Sequence, residues 1–260
     1  MGSSNSQLLI IGERDDFSKS QVKKEPAPDR RVSSEGDEIE MMKRSGPWFV
    51  TVLDVLSAGA IMVGLYLALL WAPTEATMGH VQRIFYFHVP AAWVGLFAFL
   101  VTLIASLLYL WRRTQVWDVI AASSVEMGVL FSLMTIGSGS IWARLTWNTW
   151  WTWDPRLTTM TVMLAIYLAY LILRSAIEEP GRRARFAAVY GIVGFVSVPI
   201  TFMGIRWWRT IHPVILSSSG FELSPRMLIT LLVCVGAFTL LYFSLLVHRV
   251  RQVLRTNPLP

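Results

Sequence analysis

Six continuous apolar runs set the limits on what this 260-residue chain can fold into: Phe49–Trp71, Val89–Trp111, Val119–Ala143, Thr159–Ile177, Phe186–Ile205 and Met227–Val247. At 1.5 Å per residue, about twenty helical residues cross a hydrocarbon core of about 30 Å, and each run is long enough to do so. Backbone polar groups find no water in lipid and must be satisfied within the segment, which makes these runs helices. They are continuous and do not alternate, which excludes a β-barrel. The expected fold is therefore all-α: a polytopic membrane protein with six transmembrane helices. Composition agrees, with 54% hydrophobic and 15% charged residues, against about a quarter charged in a soluble domain. No internal repeat is visible.

Charge placement gives the topology. Residues 1–45 are rich in Ser, Lys, Glu, Asp and Pro with no apolar period, and read as a disordered cytoplasmic tail. Leu8–Ile11 is too short for a signal-peptide core. Met41-Met42-Lys43-Arg44, just before the first run, reads as the natural start; a mature peptide from residues 14–30 would overturn that. After Lys43 every cation is Arg. Lys43, Arg44, Arg112, Arg113, Arg174, Arg182, Arg183, Arg185, Arg249, Arg251 and Arg255 flank one side of the spans, eleven cations in all. The other side has six: Arg83, Arg144, Arg156, Arg206, Arg209 and Arg226. The richer side is expected in the cytoplasm with both termini. Residues 46–250 then form one six-helix domain, and 251–260 a second cytoplasmic tail. The net +6 is a topology signal, so no nucleic-acid partner is expected. Loops 72–88, 144–158 and 206–226 face outward together.

The middle outward loop is unlike an ordinary connection. Trp142–Thr158 reads W-A-R-L-T-W-N-T-W-W-T-W-D-P-R-L-T and holds Trp142, Trp147, Trp150, Trp151 and Trp153 with Arg144, Asp154 and Arg156. An interfacial aromatic belt accounts for Trp48, Trp71, Trp111 and Trp117 taken singly. It does not account for five indoles within twelve residues. Rigid flat faces beside guanidinium groups suit a flat apolar molecule with carboxylates at one edge, such as a porphyrin. Arg144, Arg156, Arg206 and Arg209 are the candidates to pair with propionates.

Two histidines on the same side complete the pattern. His88 stands in Y-F-H-V-P at the mouth of the second span, and His212 in T-I-H-P between the fifth and sixth. The prolines limit helix propagation back through these positions. Imidazoles at one depth on different helices can approach opposite faces of a haem iron. Each part also has a plainer explanation, since an isolated histidine at a membrane boundary is more often an interfacial polar residue. His80 and His248 are read that way, and Arg83 and Arg226 as headgroup contacts. Of the two acids within apolar runs, Asp54 reaches for headgroups, and Glu126 is open between a structural contact and a functional role. Gly137-Ser138-Gly139-Ser140 is read as close helix packing. Cys234, the one cysteine, excludes an internal disulfide, and no C-x-x-C-H exists for covalent haem attachment.

The motifs are specific enough to compare with a family. W-N-T-W-W-T-W-D-P-R-L-T resembles the WWD signature of the haem-handling superfamily. G-H-V-Q-R-I-F-Y-F-H-V-P-A-A-W resembles the segment carrying the first haem-ligating histidine in one member, the haem exporter protein C (CcmC) family of cytochrome c maturation. The resemblance covers about Pro47 to Val250. It implies non-covalent, transient haem b at the outer face, His88 and His212 as axial ligands, and Trp147–Thr158 as the porphyrin platform. It also implies delivery to a periplasmic haem chaperone (CcmE type). A small single-span subunit (CcmD type) and the subunits of an ATP-binding-cassette transporter (CcmA and CcmB types) are further implied partners. The sequence holds no nucleophile–base pair, nucleotide loop or paired outer carboxylates, so a binding and transfer device is expected rather than an enzyme. Arg-only loops point to a bacterial inner membrane more than a mitochondrial one. The competing readings are a permease moving haem through the bundle and an integral bis-histidine redox protein.

Overall fold

The structure is a computed structural model, and it describes residues 47–212, 216–217, 220–221 and 223–256. The expectations for residues 1–45, for Pro213 and for the extreme C-terminus fall outside them. Among the described residues seven α-helices follow in order: α1 Pro47–Tyr66, α2 Phe85–Arg112, α3 Gln115–Trp147, α4 Pro155–Ala176, α5 Pro180–Gly194, α6 Ser197–Trp207 and α7 Pro225–Thr256. A π-helical turn, Leu67–Trp71, extends α1, and a 3₁₀ turn, His80–Ile84, leads into α2. Beyond α6 lies a two-residue antiparallel pairing, Leu216 with Phe221 and Ser217 with Gly220. Six helical segments among the described residues are long and apolar enough to cross a membrane, with α5 and α6 forming one of them.

The segments are longer than the apolar runs alone. α3 continues to Trp147 because nothing interrupts it before Asn148, which ends it in the left-handed region at φ 56°. α4 starts at Pro155, with the Asp154 side chain accepting from Arg156 N–H at 3.0 Å. Proline at the first helical position and aspartate before it favour that start. The outward loop expected at 144–158 is thus only Asn148–Asp154. α7 likewise runs to Thr256, so residues 251–256 of the expected tail are helix. At 1.5 Å per residue its 32 residues exceed the bilayer core by several turns. The fifth span breaks at Phe195–Val196, where Val198 N–H bonds back only three residues to Phe195 O. Pro199, lacking an N–H for a bond four residues back, accounts for the break.

Lipid supplies no hydrophobic drive between helices, so the bundle is held by close packing and buried polar contacts. α2 and α3 pack closely at its centre, and the Phe99 ring stacks on Tyr167 of α4 at 3.5 Å with 3° between planes. Gly128 makes this approach work: a Cβ there would sit 2.4 Å from the Phe99 ring. Ser124 Oγ bonds Ala98 O and the Tyr242 hydroxyl, each at 2.7 Å, tying α2, α3 and α7. α1 packs on α7, with Gly64 against Cys234, while Val52, Leu56, Val63 and Leu70 stay exposed as lipid-facing residues do.

Charged contacts gather at one end. Arg174 grips Asp118 with two bonds of 2.5 and 2.9 Å, and Arg249 grips Glu126 with bonds of 2.6 and 2.9 Å. Asp54 accepts from Ser244 at 2.5 Å and pairs with His248 at 2.9 Å. Glu126 thus has a structural partner on α7. Asp54 and His248, expected to face headgroups, instead bind each other across α1 and α7. All three pairs lie at the end away from Asn148–Asp154.

Candidate functional site

The opposite end of the bundle encloses a cavity of about 610 Å³, within the range of sites that hold a drug-sized or cofactor-sized molecule. Its walls come from α2, α3 and α4, the start of α7, and the loops after α1 and α6. Most are apolar: Val89, Leu96, Ile136, Leu157, Met160 and Met227. Polar groups converge at few points. His88, His212, Arg156 and Glu75 are the ionisable ones among the described lining residues.

His88 and His212 face each other across this space, their ring centres 6.2 Å apart and their planes 32° apart. They come from elements far apart in the chain, and the closure of α2 against the connection after α6 brings them together. His88 lies in the first turn of α2. The helix starts three residues before it and continues through Pro90, so proline does not stop the helix as the sequence implied.

A part of α3 that sequence reasoning assigned to helix packing builds the seat of His88. Ser138 Oγ lies 3.1 Å from His88 Nδ1 and donates its own proton to Met134 O at 2.7 Å. With that proton spent, the hydroxyl accepts from Nδ1–H, which leaves the lone pair on Nε2. Gly139 makes the room: a Cβ there would stand 2.9 Å from His88 Cε1. Gly137 has nothing within 4 Å of the same position. The small-residue run therefore accommodates an imidazole rather than a neighbouring helix.

The tryptophan-rich segment divides. Trp142, Trp147 and Trp151 line the cavity, and the first two meet edge to face at 4.9 Å near the end of α3. Trp150 and Trp153 point out, 59% and 80% exposed, with Trp153 edge-on to Trp151 at 5.8 Å. Arg156 lines the cavity and its Nη1 is buried with no hydrogen-bond partner among the described residues. A buried guanidinium nitrogen without a protein partner is costly, which marks the place where an anionic group of a ligand would be satisfied.

The other residues expected to bind lie elsewhere. Arg144 turns back on its own helix, donating from Nη1 to Asn148 O at 2.8 Å. Arg206 and Arg209 are exposed and away from the lining. Asp154 is 8% exposed and is not part of the lining: Oδ1 accepts from Arg156 N–H and from Thr210 Oγ1 at 2.7 Å, and Oδ2 from Ile211 N–H at 2.9 Å. Of the residues sequence reasoning passed over, Glu75 shapes the loop roof by accepting from Thr77 N–H at 2.8 Å and from Met78 N–H. Arg226 sits over the Trp71 ring at 5.6 Å.

This architecture has known relatives. The family model of CcmC, heme exporter protein C, matches residues 31–258. The chain belongs to the heme exporter protein C family. It is 36% identical over 220 residues to heme exporter protein C of Bradyrhizobium diazoefficiens, covering 84% of this chain and 82% of that one. The protein of the same name in Rhodobacter capsulatus is 31% identical over 233 residues, 85% of this chain and 92% of that one. A ccmC-like mitochondrial protein of cytochrome c biosynthesis from Marchantia polymorpha is 29% identical over 208 residues, 80% of this chain and 84% of that one. For this heme exporter protein C family chain, the matched residues include every span and the whole cavity. The expectation of six membrane spans and of the family itself therefore holds.

Proposed function

We propose that the cavity captures haem b non-covalently at the outer face of a bacterial inner membrane and gives it up to a periplasmic haem chaperone of the CcmE type during cytochrome c maturation. The family's role in haem handling for cytochrome c biogenesis supports this reading. The single observation that carries it is the spacing of His88 and His212. A ligating imidazole nitrogen lies about 2 Å from its metal and about 1 Å from its own ring centre, so two rings in trans on one iron have centres about 6 Å apart. The observed 6.2 Å matches. His88 Nε2 and His212 then hold the iron from either side, Trp142, Trp147 and Trp151 supply ring contacts, and Arg156 pairs with a propionate. The orientation rests on the excess of cations at the other end. The chain acts beside a small single-span subunit of CcmD type and transporter subunits of CcmA and CcmB types. It is a binding and transfer component rather than an enzyme. The mitochondrial relative keeps an organellar inner membrane as the alternative location.

The permease alternative calls for ionisable groups along a path through the bundle. Here Asp118, Glu126 and Asp54 are spent in pairs at the far end, which favours a one-sided site. The test is to titrate the detergent-purified chain with haemin and then mix it with the soluble domain of a CcmE-type chaperone. A six-coordinate low-spin spectrum, followed by its loss as the chaperone gains haem, is expected. A high-spin spectrum or no haem uptake would count against the proposal.

Ser138 gives a graded check. Ser138→Ala removes the acceptor that holds the Nδ1 proton of His88. Losing a hydrogen bond that orients a ligating histidine typically costs about 10–100-fold in metal affinity, and haem affinity should fall by that order with the low-spin signature retained. Unchanged affinity would show that the seat of His88 does not depend on the hydroxyl.

A further inference from the structure

The carboxylate at the end of the tryptophan motif does not line the cavity, yet it is buried and both of its oxygens accept hydrogen bonds. Asp154 caps α4 through Arg156 N–H. Its remaining capacity goes to the connection that carries His212: Oδ1 accepts from Thr210 Oγ1 at 2.7 Å, and Oδ2 from Ile211 N–H at 2.9 Å. Thr210 Oγ1 passes the link on by accepting from His212 N–H at 3.0 Å. One side chain therefore ties the first turn of α4, where the cavity-lining Arg156 is anchored, to the two residues before the histidine and to the histidine's own backbone. We infer that Asp154, acting through Thr210, is a positioning residue that sets the place of His212 relative to His88 and Arg156. This inference rests on the axial-ligand reading proposed above.

The chemistry separates this role from helix capping. Asparagine is as good an N-cap as aspartate, because one oxygen suffices for Arg156 N–H. The link to the connection uses both oxygens as acceptors. In Asp154→Asn, capping through Oδ1 turns the amide NH₂ toward Ile211 N–H, donor against donor. The flipped amide repairs that contact and can donate to Thr210 Oγ1 in reverse, but it sets NH₂ against Arg156 N–H and loses the cap. Thr210→Val leaves the carboxylate and the cap untouched and cuts only the relay, while Thr210→Ser keeps the hydroxyl.

The full-length protein is purified in detergent as wild type, Asp154→Asn, Thr210→Val, Thr210→Ser and His212→Ala. Each is titrated with haemin, read by optical and electron paramagnetic resonance spectra, and then titrated with free imidazole. Asp154→Asn and Thr210→Val are expected to develop a high-spin population that imidazole converts back to low-spin, with haem affinity lowered about 10–100-fold. Thr210→Ser should behave as wild type. A merely structural role would alter yield or melting temperature without creating an imidazole-restorable open position. A fully low-spin Thr210→Val at wild-type affinity overturns the inference, and it does so even if Asp154→Asn fails to fold. If His212→Ala also retains the wild-type spectrum, the axial reading falls and the positioning role falls with it. If His212→Ala loses the low-spin spectrum while both clamp variants keep it, only the positioning role is wrong.

Discussion

His88→Ala and His212→Ala are each expected to abolish the six-coordinate low-spin haem spectrum, but not in the same way. On the proposed axial reading, each truncation removes one of two bonds to iron and leaves an imidazole-sized gap beside it. The His212 gap opens toward a connection at the end of the bundle, so millimolar imidazole should fill it and restore the low-spin form. The His88 gap lies against α3, walled by Gly139 and Ser138, and should be rescued at higher concentration. Optical titration checks both. Two variants that keep the wild-type spectrum would remove these residues from the metal.

The second large effect is at Arg156. Its Nη1 is buried with no hydrogen-bond partner among the described residues, so a bound carboxylate would recover the cost of burying it. Truncating one partner of a buried charge pair typically costs about 2–5 kcal/mol, which is about 30-fold or more in dissociation constant. Arg156→Ala should lose haem affinity on that scale while leaving the melting temperature of the apo protein unchanged or raised. Haem dimethyl ester, which lacks the carboxylates, should bind wild type and variant alike. Equal loss for the ester would mean that Arg156 acts on shape rather than on charge.

How much of this could be read from the sequence depended on the kind of contact. Long apolar runs leave lipid-embedded backbone one solution, so the six spans were plain. Their ends were not: α3 gains Trp147 and α4 gains Pro155, because helix ends answer to caps and left-handed turns more than to hydropathy. His88 and His212 were visible because two imidazoles on one side of a membrane have few common roles. Asp154 and Arg144 were placed with the ligand on composition, yet both serve backbone groups, and a side chain bound to a carbonyl or N–H leaves no mark in residue type. Gly139 was missed for a related reason. A glycine that admits an imidazole looks the same in sequence as one that admits a helix.

The two histidines are mounted differently. His88 belongs to a helical turn with its ring against α3, whereas His212 lies outside any helix, its backbone N–H bonded to Thr210 and through it linked to Asp154. On the proposed axial reading, one jaw of the clip is set in a helix and the other is carried on a connection at the end of the bundle, the side that an acceptor meets. An incoming acceptor would therefore displace His212 first, while His88 still keeps the cargo from escaping into the bilayer. On the proposed haem-transfer reading, exchange begun at His212 would leave His88 holding the cargo until the acceptor has engaged.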